Sequence, residues 1–301
     1  MKKLMIGAVC AMMAAATFAE PKVEITEAYQ QTPGSGVVNY TYTISGLKGV
    51  TDLYIKVGAE GCAKTVVLTN LNVKAGTVTA EVDVKTLLGQ AYPNVTLFAE
   101  LEDGVQLWEN GPYFAKANIG ATKPEEYGWY FWWGDTVGYK RNGSGFVSVK
   151  DGTAFAFTKE NCSTHGKNEA TLKSNGWINY HSGNLDPFHD AATAKLGAPW
   201  RMPTDAELVA LGSNCTTVWK TNWNGTGVNG FLVTGKGAYA SKSIFLPAEA
   251  STGNSAGSYW SATPYNVDPY SLARHLQFDG NPTFAVYANG RWGERVIRAV
   301  R

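Results

Sequence analysis

Tryptophan and arginine are confined almost wholly to one part of this chain. From Glu20 to about Ala115 there is a single tryptophan, Trp108, and no arginine, whereas the remainder holds nine tryptophans and all seven arginines. One continuous core does not change composition so abruptly, and 301 residues exceed the roughly 100–200 usual for one domain. The step therefore predicts two domains, residues 20–115 and 116–301, behind a leader of residues 1–19.

Lys2 and Lys3 open that leader, Leu4 to Ala16 form an apolar run, and Thr17-Phe18-Ala19 supplies a small-x-small cleavage site before Glu20. This is the pattern of a secretory signal peptide. About thirteen apolar residues are too few to span a bilayer, which takes roughly 20, and no later stretch comes close, so no membrane-spanning segment is expected. Cys10 follows Val9 rather than the small residue that precedes a lipidated cysteine. Without Lys2 and Lys3 the 26 basic residues fall to 24, against 25 acidic. That balance gives no electrostatic footprint for nucleic acid or an anionic membrane. The chain is expected to be exported and then displayed at the cell surface, associated with the outer membrane, or secreted.

The first domain alternates apolar and polar residues in short runs: Val23 and Ile25; Val38 to Ile44; Leu53, Ile55 and Val57; Val66 and Leu68; Val78 to Val84; Val95 to Ala99; Val105 to Leu107. Turn signals separate them, among them Pro33-Gly34-Ser35-Gly36, Ala75-Gly76 and Asp103-Gly104. About seven strands in this length predict an all-β sandwich of the immunoglobulin or fibronectin type III kind.

The second domain is less regular. Trp129-Tyr130-Phe131-Trp132-Trp133 reads as a dense aromatic strand. Asp186 as N-cap, Pro187 at the first helical position and Gly197 as the stop predict a helix over 187–196. Thr204-Asp205-Ala206-Glu207 is a capping box opening a second helix, with Leu208, Val209 and Leu211 as its buried face and Gly212 as its end. Short strands follow at 230–233, 243–246, 272–278, 283–287 and 294–300, giving an α+β order.

An ordered series of segments runs through this half: Pro124-Glu125-Glu126-Tyr127-Gly128 before the aromatic strand and Gly134-Asp135; Leu185-Asp186-Pro187-Phe188-His189-Asp190-Ala191-Ala192; Trp200-Arg201-Met202-Pro203-Thr204; Asn214-Cys215-Thr216; Gly227-Val228-Asn229-Gly230; Ser243-Ile244-Phe245-Leu246-Pro247-Ala248; Gly257-Ser258-Tyr259-Trp260-Ser261; and Arg295-Val296-x-Arg298-x-Val300. Over about residues 118–301 this resembles the Fibrobacter succinogenes major paralogous domain, a bacterial exported module related to C-type-lectin-like and formylglycine-generating-enzyme-like folds. The resemblance implies an α+β C-type-lectin-like domain with a binding or adhesion role. In that scaffold Gly128, Gly134 and Gly257 serve tight turns or close approach, and Arg201 ties carboxylates or carbonyls.

Catalytic patterns find little support. A formylglycine-generating activity needs a late cysteine pair, and no cysteine follows Cys215. Calcium-held sugar binding needs carboxylates that Trp223-Asn224-Gly225 lacks. The GxGxxG string Gly225 to Gly230 precedes a strand rather than a helix, so it reads as a glycine-rich turn. His165, His181, His189 and His275 sit in no metal-binding spacing, and at Asp186, His189 and Asp190 helix capping is favoured over a cation. No metal and no cofactor are expected. Cys162 and Cys215 are the one disulfide pairing possible inside a predicted domain of an exported chain, with Cys62 left as a free thiol.

The chain therefore reads as a non-catalytic binding or adhesion module for an extracellular glycan or protein, with a structural envelope protein as the alternative. The candidate ligand surface is the set of loops joining the last strands, where Tyr265, Asn266, Asp268, Tyr270, Tyr287, Asn289, Arg291 and Trp292 mix aromatic faces with amide, carboxylate and guanidinium groups. The same rings serve equally well as core fillers where strands are short.

Overall fold

The computed structural model describes residues 22–32, 34–47, 51–102, 104–265, 271–280 and 284–301. Strand outweighs helix, 42% to 14%, and the strands form several small antiparallel sheets, so the architecture is β-rich throughout. The chain divides into two compact units, Met1–Asp103 and Gly104–Arg301. The boundary thus falls before residue 116, because Val105 and Leu107 belong to the core of the second unit. The last of the seven strands expected in the first domain is the opening strand of the second.

In the first unit β1 (Lys22–Gln30), β2 (Val37–Ser45), β3 (Thr51–Ala59), β4 (Val66–Val73), β5 (Gly76–Asp83) and β6 (Val95–Glu102) form two three-stranded sheets, ordered β1-β2-β5 and β4-β3-β6. Side chains alternate across a strand. Val38, Tyr40, Tyr42 and Ile44 of β2 are accordingly buried while their neighbours are not. With Leu53, Ile55 and Val57 of β3 they make one apolar cluster shared by both sheets. A one-turn helix, α1 (Val84–Leu88), follows β5; Asp83 caps it by accepting from the Thr86 N–H, and Gly89 at φ 93° ends it, a left-handed conformation that costs glycine nothing.

The second unit opens with the hairpin β7 (Val105–Gln106) and β8 (Tyr113–Phe114), then β9 (Tyr139–Asn142), β10 (Gly145–Ser148) and β11 (Ala154–Phe155). Three short helices follow, α2 (Glu169–Ser174), α3 (Ala191–Leu196) and α4 (Asp205–Asn214). Two three-stranded meanders complete it: β12 (Thr216–Lys220), β13 (Gly230–Thr234) and β14 (Ser243–Pro247), then β15 (Ala256–Tyr265), β16 (Leu272–Asp279) and β17 (Phe284–Gly290).

Residues 129–133 and the closing segment 295–300 form a partition through the middle of this unit. Phe131 pairs with Arg295, and Val300 pairs with both Phe114 and Arg201, so the end of this unit is laced to its own start. Successive side chains point to opposite sides. Tyr130 and Trp132 enter one apolar cluster with Val296 and Val300, while Phe131 and Trp133 enter another with Ile297 and Ala299. Tyr259 and Trp260 of β15 divide in the same way. The strand expected over 129–133 is reduced to isolated bridges at Tyr130 and Phe131, but a segment buried on both faces has no polar side to show, which is why Tyr130 to Trp133 are all aromatic.

Arginine enters this interior without carboxylates. Arg298 is 2% exposed; its Nε donates to Asn118 Oδ1, Nη1 to the Ala115 and Lys116 carbonyls, and Nη2 to the Phe245 carbonyl. The planar fork thus satisfies acceptors from two segments, 115–118 and 245, at once, and burial pulls its pKa down to about 10.

Helix ends depart from expectation at two places. α4 carries the expected capping box but runs past Gly212 to Asn214, and Val209 is exposed while Leu208 and Leu211 are buried. α3 starts only at Ala191, because Asp190 and not Asp186 is its N-cap. The Asp186 side chain instead accepts from the Phe188 N–H, holding 186–189 as a turn.

Candidate functional site

The late-loop residues do not come together as one exposed patch. Asn266, Asp268 and Tyr270 lie outside the described residues. Arg291 is fully buried, its Nε donating to the Leu272 carbonyl and Nη1 to the Thr164 and Lys167 carbonyls. It is therefore a structural cross-brace and corrects the expectation that it meets a ligand. Trp292 is half-buried, with the His165 ring edge-on at 5.0 Å and Lys159 Nζ 5.1 Å from its centroid. Tyr265 is half-buried beneath the Arg274 guanidinium at 4.3 Å. Only Tyr287, 44% exposed, and Asn289 stand out together, on one face of β17.

The cysteine pairing is also corrected. Cys162 and Cys215 are free thiols, both buried in the same apolar cluster. Burial favours the neutral thiol and pushes Cys162 up and Cys215 to about 11. Cys162 Sγ lies 3.4 Å from Thr164 Oγ1. Cys62 is free and half-buried.

A better-formed site lies between the connection 179–187, the start of α3 and the start of α4. It is a groove of about 320 Å³, within the size range of ligand clefts. Its polar lining includes Asn179, Ser182, Asn184, Thr193 and Thr204, and Leu185, Pro187, Met202 and Ala262 supply apolar patches. The sequence builds one wall as a tight turn: Asn179 Oδ1 accepts from the His181 and Ser182 N–H groups, and the Asn179 N–H donates to the Asn184 carbonyl. Asparagine suits this because its side chain mimics a backbone turn. The Leu185 N–H then anchors the wall to the Ala262 carbonyl at 3.0 Å, and Thr263 Oγ1 donates to Asn184 Oδ1 at 2.7 Å.

The opposite wall is fixed by Asp190, which is 3% exposed. Its Oδ1 accepts from the Thr193 N–H and its Oδ2 from the Met202 N–H, so one carboxylate ties the start of α3 to the segment before α4. Burial raises its pKa despite those bonds. Arg201, the other charged lining residue, donates Nη1 and Nη2 to Glu207 at 2.8 and 2.6 Å. Burial pushes the Glu207 carboxyl upward, but the Arg201 and Thr204 hydrogen bonds outweigh it and hold the group below its usual value. Arg201 and Glu207 also line a second cleft of about 360 Å³, which Trp108, Asn110 and Arg301 share.

Two exposed rings adjoin lining residues in the chain, although neither lines the groove itself. Tyr180 follows the lining residue Asn179 and is 67% exposed; Phe188 follows Pro187 and is 88% exposed. On either side of them in sequence, Trp177 and His189 stack on each other at 3.8 Å, so the neighbouring aromatics are packed while these two are exposed. A phenylalanine this exposed is unusual in a chain able to bury most of its rings. Sequence reasoning missed both. The signal lay in the turn-rich string Asn179-Tyr180-His181-Ser182-Gly183-Asn184, which places a ring where no core can form. Among the described residues no helix is long and apolar enough to cross a membrane, and no three His, Cys, Asp or Glu side chains gather as a metal site. In comparisons with protein-family models, curated proteins and solved structures, the chain matches none.

Proposed function

We propose that this chain is an exported, non-catalytic binding or adhesion module, displayed at the cell surface or secreted, and that the groove between 179 and 204 is its ligand surface. The observation that carries this reading is the pair of rings Tyr180 and Phe188, 67% and 88% exposed and next in sequence to Asn179 and Pro187 of a cleft lined by amides and hydroxyls. Exposed rings next to convergent polar groups are what a recognition surface requires, and they serve no packing purpose where they stand. The finer layout belongs to the same proposal. Two three-stranded sheets around one core support an immunoglobulin- or fibronectin type III-like sandwich acting as a spacer. Helices set between early and late strands, and ends of the unit paired to each other, support a C-type-lectin-like second domain.

The test is a binding screen of the full chain against immobilised polysaccharides and extracellular proteins, with Phe188→Ala beside it. Because Phe188 is almost wholly exposed, truncating it leaves the fold intact. Binding that falls in the variant supports the groove; binding that is unchanged moves the ligand surface elsewhere. A structural envelope role is the second reading, favoured by the burial of Arg291 and partial burial of Trp292 and Tyr265. It predicts no Phe188-dependent binding at all.

A further inference from the structure

We infer that the groove takes an uncharged, polyhydroxylated chain, that is, a neutral glycan. This rests on the groove being the ligand surface and adds its chemical selectivity. Each charged group lining it is already committed. The two oxygens of Asp190 each accept a backbone N–H, and Arg201 is held by Glu207 through two parallel donors. A charged ligand therefore has to compete with partners that both groups already hold in the free protein. Beside Tyr180, Lys173, whose Nζ lies 6.0 Å from the ring centroid, is paired with Glu169 at 2.6 Å. Among the described lining residues an acidic sugar or acidic peptide therefore meets no unpaired cation, and a basic one no carboxylate without partners.

The groups with capacity to spare are neutral. The Thr193 hydroxyl donates to the Trp200 carbonyl, and Ser182 Oγ accepts from the Asn184 N–H; each hydroxyl keeps at least one further donor or acceptor position. Hydroxyls and amides that can donate and accept match the hydroxyls of a sugar, while the exposed rings of Tyr180 and Phe188, which adjoin the lining in sequence, are available to its C–H surface.

Affinity electrophoresis of the full chain through dextran, xylan and mannan, and through polygalacturonate and chondroitin sulfate, tests this. The expected result is retention by at least one neutral polymer, changing less than about twofold between low and high salt because no ion pair is made. Phe188→Ala and Tyr180→Ala should each weaken it by about two- to tenfold, the value of one aromatic contact, and Phe98→Ala, an exposed ring on β6 of the first unit, should leave it unchanged. Phe188-dependent retention only by the acidic polymers, weakening with salt, overturns the neutral selectivity and keeps the groove. So does Phe188-dependent binding confined to proteins. Absence of Phe188-dependent retention on every matrix and protein overturns selectivity and groove together.

Discussion

The two units bury their cores by opposite means. In the first, each strand gives one face to the interior and one to solvent, so β2 reads Val38, Tyr40, Tyr42, Ile44 inside with polar residues between. In the second, the central segments are buried on both faces: Tyr130 and Trp132 go one way, Phe131 and Trp133 the other. A one-faced core needs only alternation. A two-faced partition must satisfy its backbone and every polar atom from within, and the buried arginines do part of this, Arg298 capping carbonyls from 115, 116 and 245. Tryptophan and arginine accumulate in the second unit because it is built around a divided core, which is the physical content of the composition step.

The largest expected effect tests that division. Trp133 is fully buried, and its Nε1 donates to the Ser261 carbonyl at 3.0 Å; Trp133→Ala should cost about 3–5 kcal/mol, as large-to-small core changes do. Leu53→Ala in β3, also fully buried, should cost about 2–5 kcal/mol. Each unit has its own core, so denaturant unfolding followed by far-UV and tryptophan signals should show two transitions, with each variant moving one of them. A single transition displaced by both variants would mean the units do not fold separately.

The same contrast explains what the sequence disclosed. The first unit's strands were legible because half-exposed strands carry period two, and β1 to β6 appear where alternation placed them. Val105–Leu107 alternates just as well, and nothing local says that its partner is Tyr113–Phe114 rather than a strand upstream. In the second unit the capping box of α4 was legible because both of its hydrogen bonds are local. α2 was not, since only Leu172 of its six residues is buried and it has no apolar face to read. The late-loop aromatics failed as a site for a related reason. Whether a ring is core or surface depends on the register of β16 and β17 and on which carbonyls need Arg291, and neither is encoded in local composition.

An effect of intermediate size is confined to the second unit. His275 on β16 is fully buried, with its Nε2 3.3 Å from Gln277 Oε1 and its ring edge-on to Trp260. Burial first, and the Arg295 charge second, lower its pKa to about 4. Below pH 6.5 the unfolded chain takes up a proton here that the folded unit refuses, so stability falls with pH, by up to about 3 kcal/mol when pH 4 is reached. Asp135 and Asp190, raised by burial, slope the opposite way, which makes the difference between the parent and His275→Gln the quantity to follow. That difference should shrink between pH 7 and 4 in the transition of the second unit and be absent from that of the first. Equal slopes in the two proteins would show that His275 is charged in the folded state.

The smallest effect bears on the groove itself. Glu207 serves two purposes, closing the capping box through the Thr204 N–H at 2.8 Å and holding Arg201 through both oxygens. Glu207→Gln keeps one carbonyl oxygen as an acceptor but removes the charge, so the cap is weakened rather than lost and stability should fall by only about 1 kcal/mol. The chemical consequence is larger than the energetic one, because the Arg201 guanidinium is then uncompensated at the edge of two clefts. Glu207→Gln should therefore gain salt-sensitive retention on polygalacturonate that the parent lacks, while Phe188-dependent retention on a neutral polymer persists. If the variant gains nothing on the acidic matrix, pairing with Glu207 is not what keeps Arg201 from anions, and the selectivity of the groove has another origin.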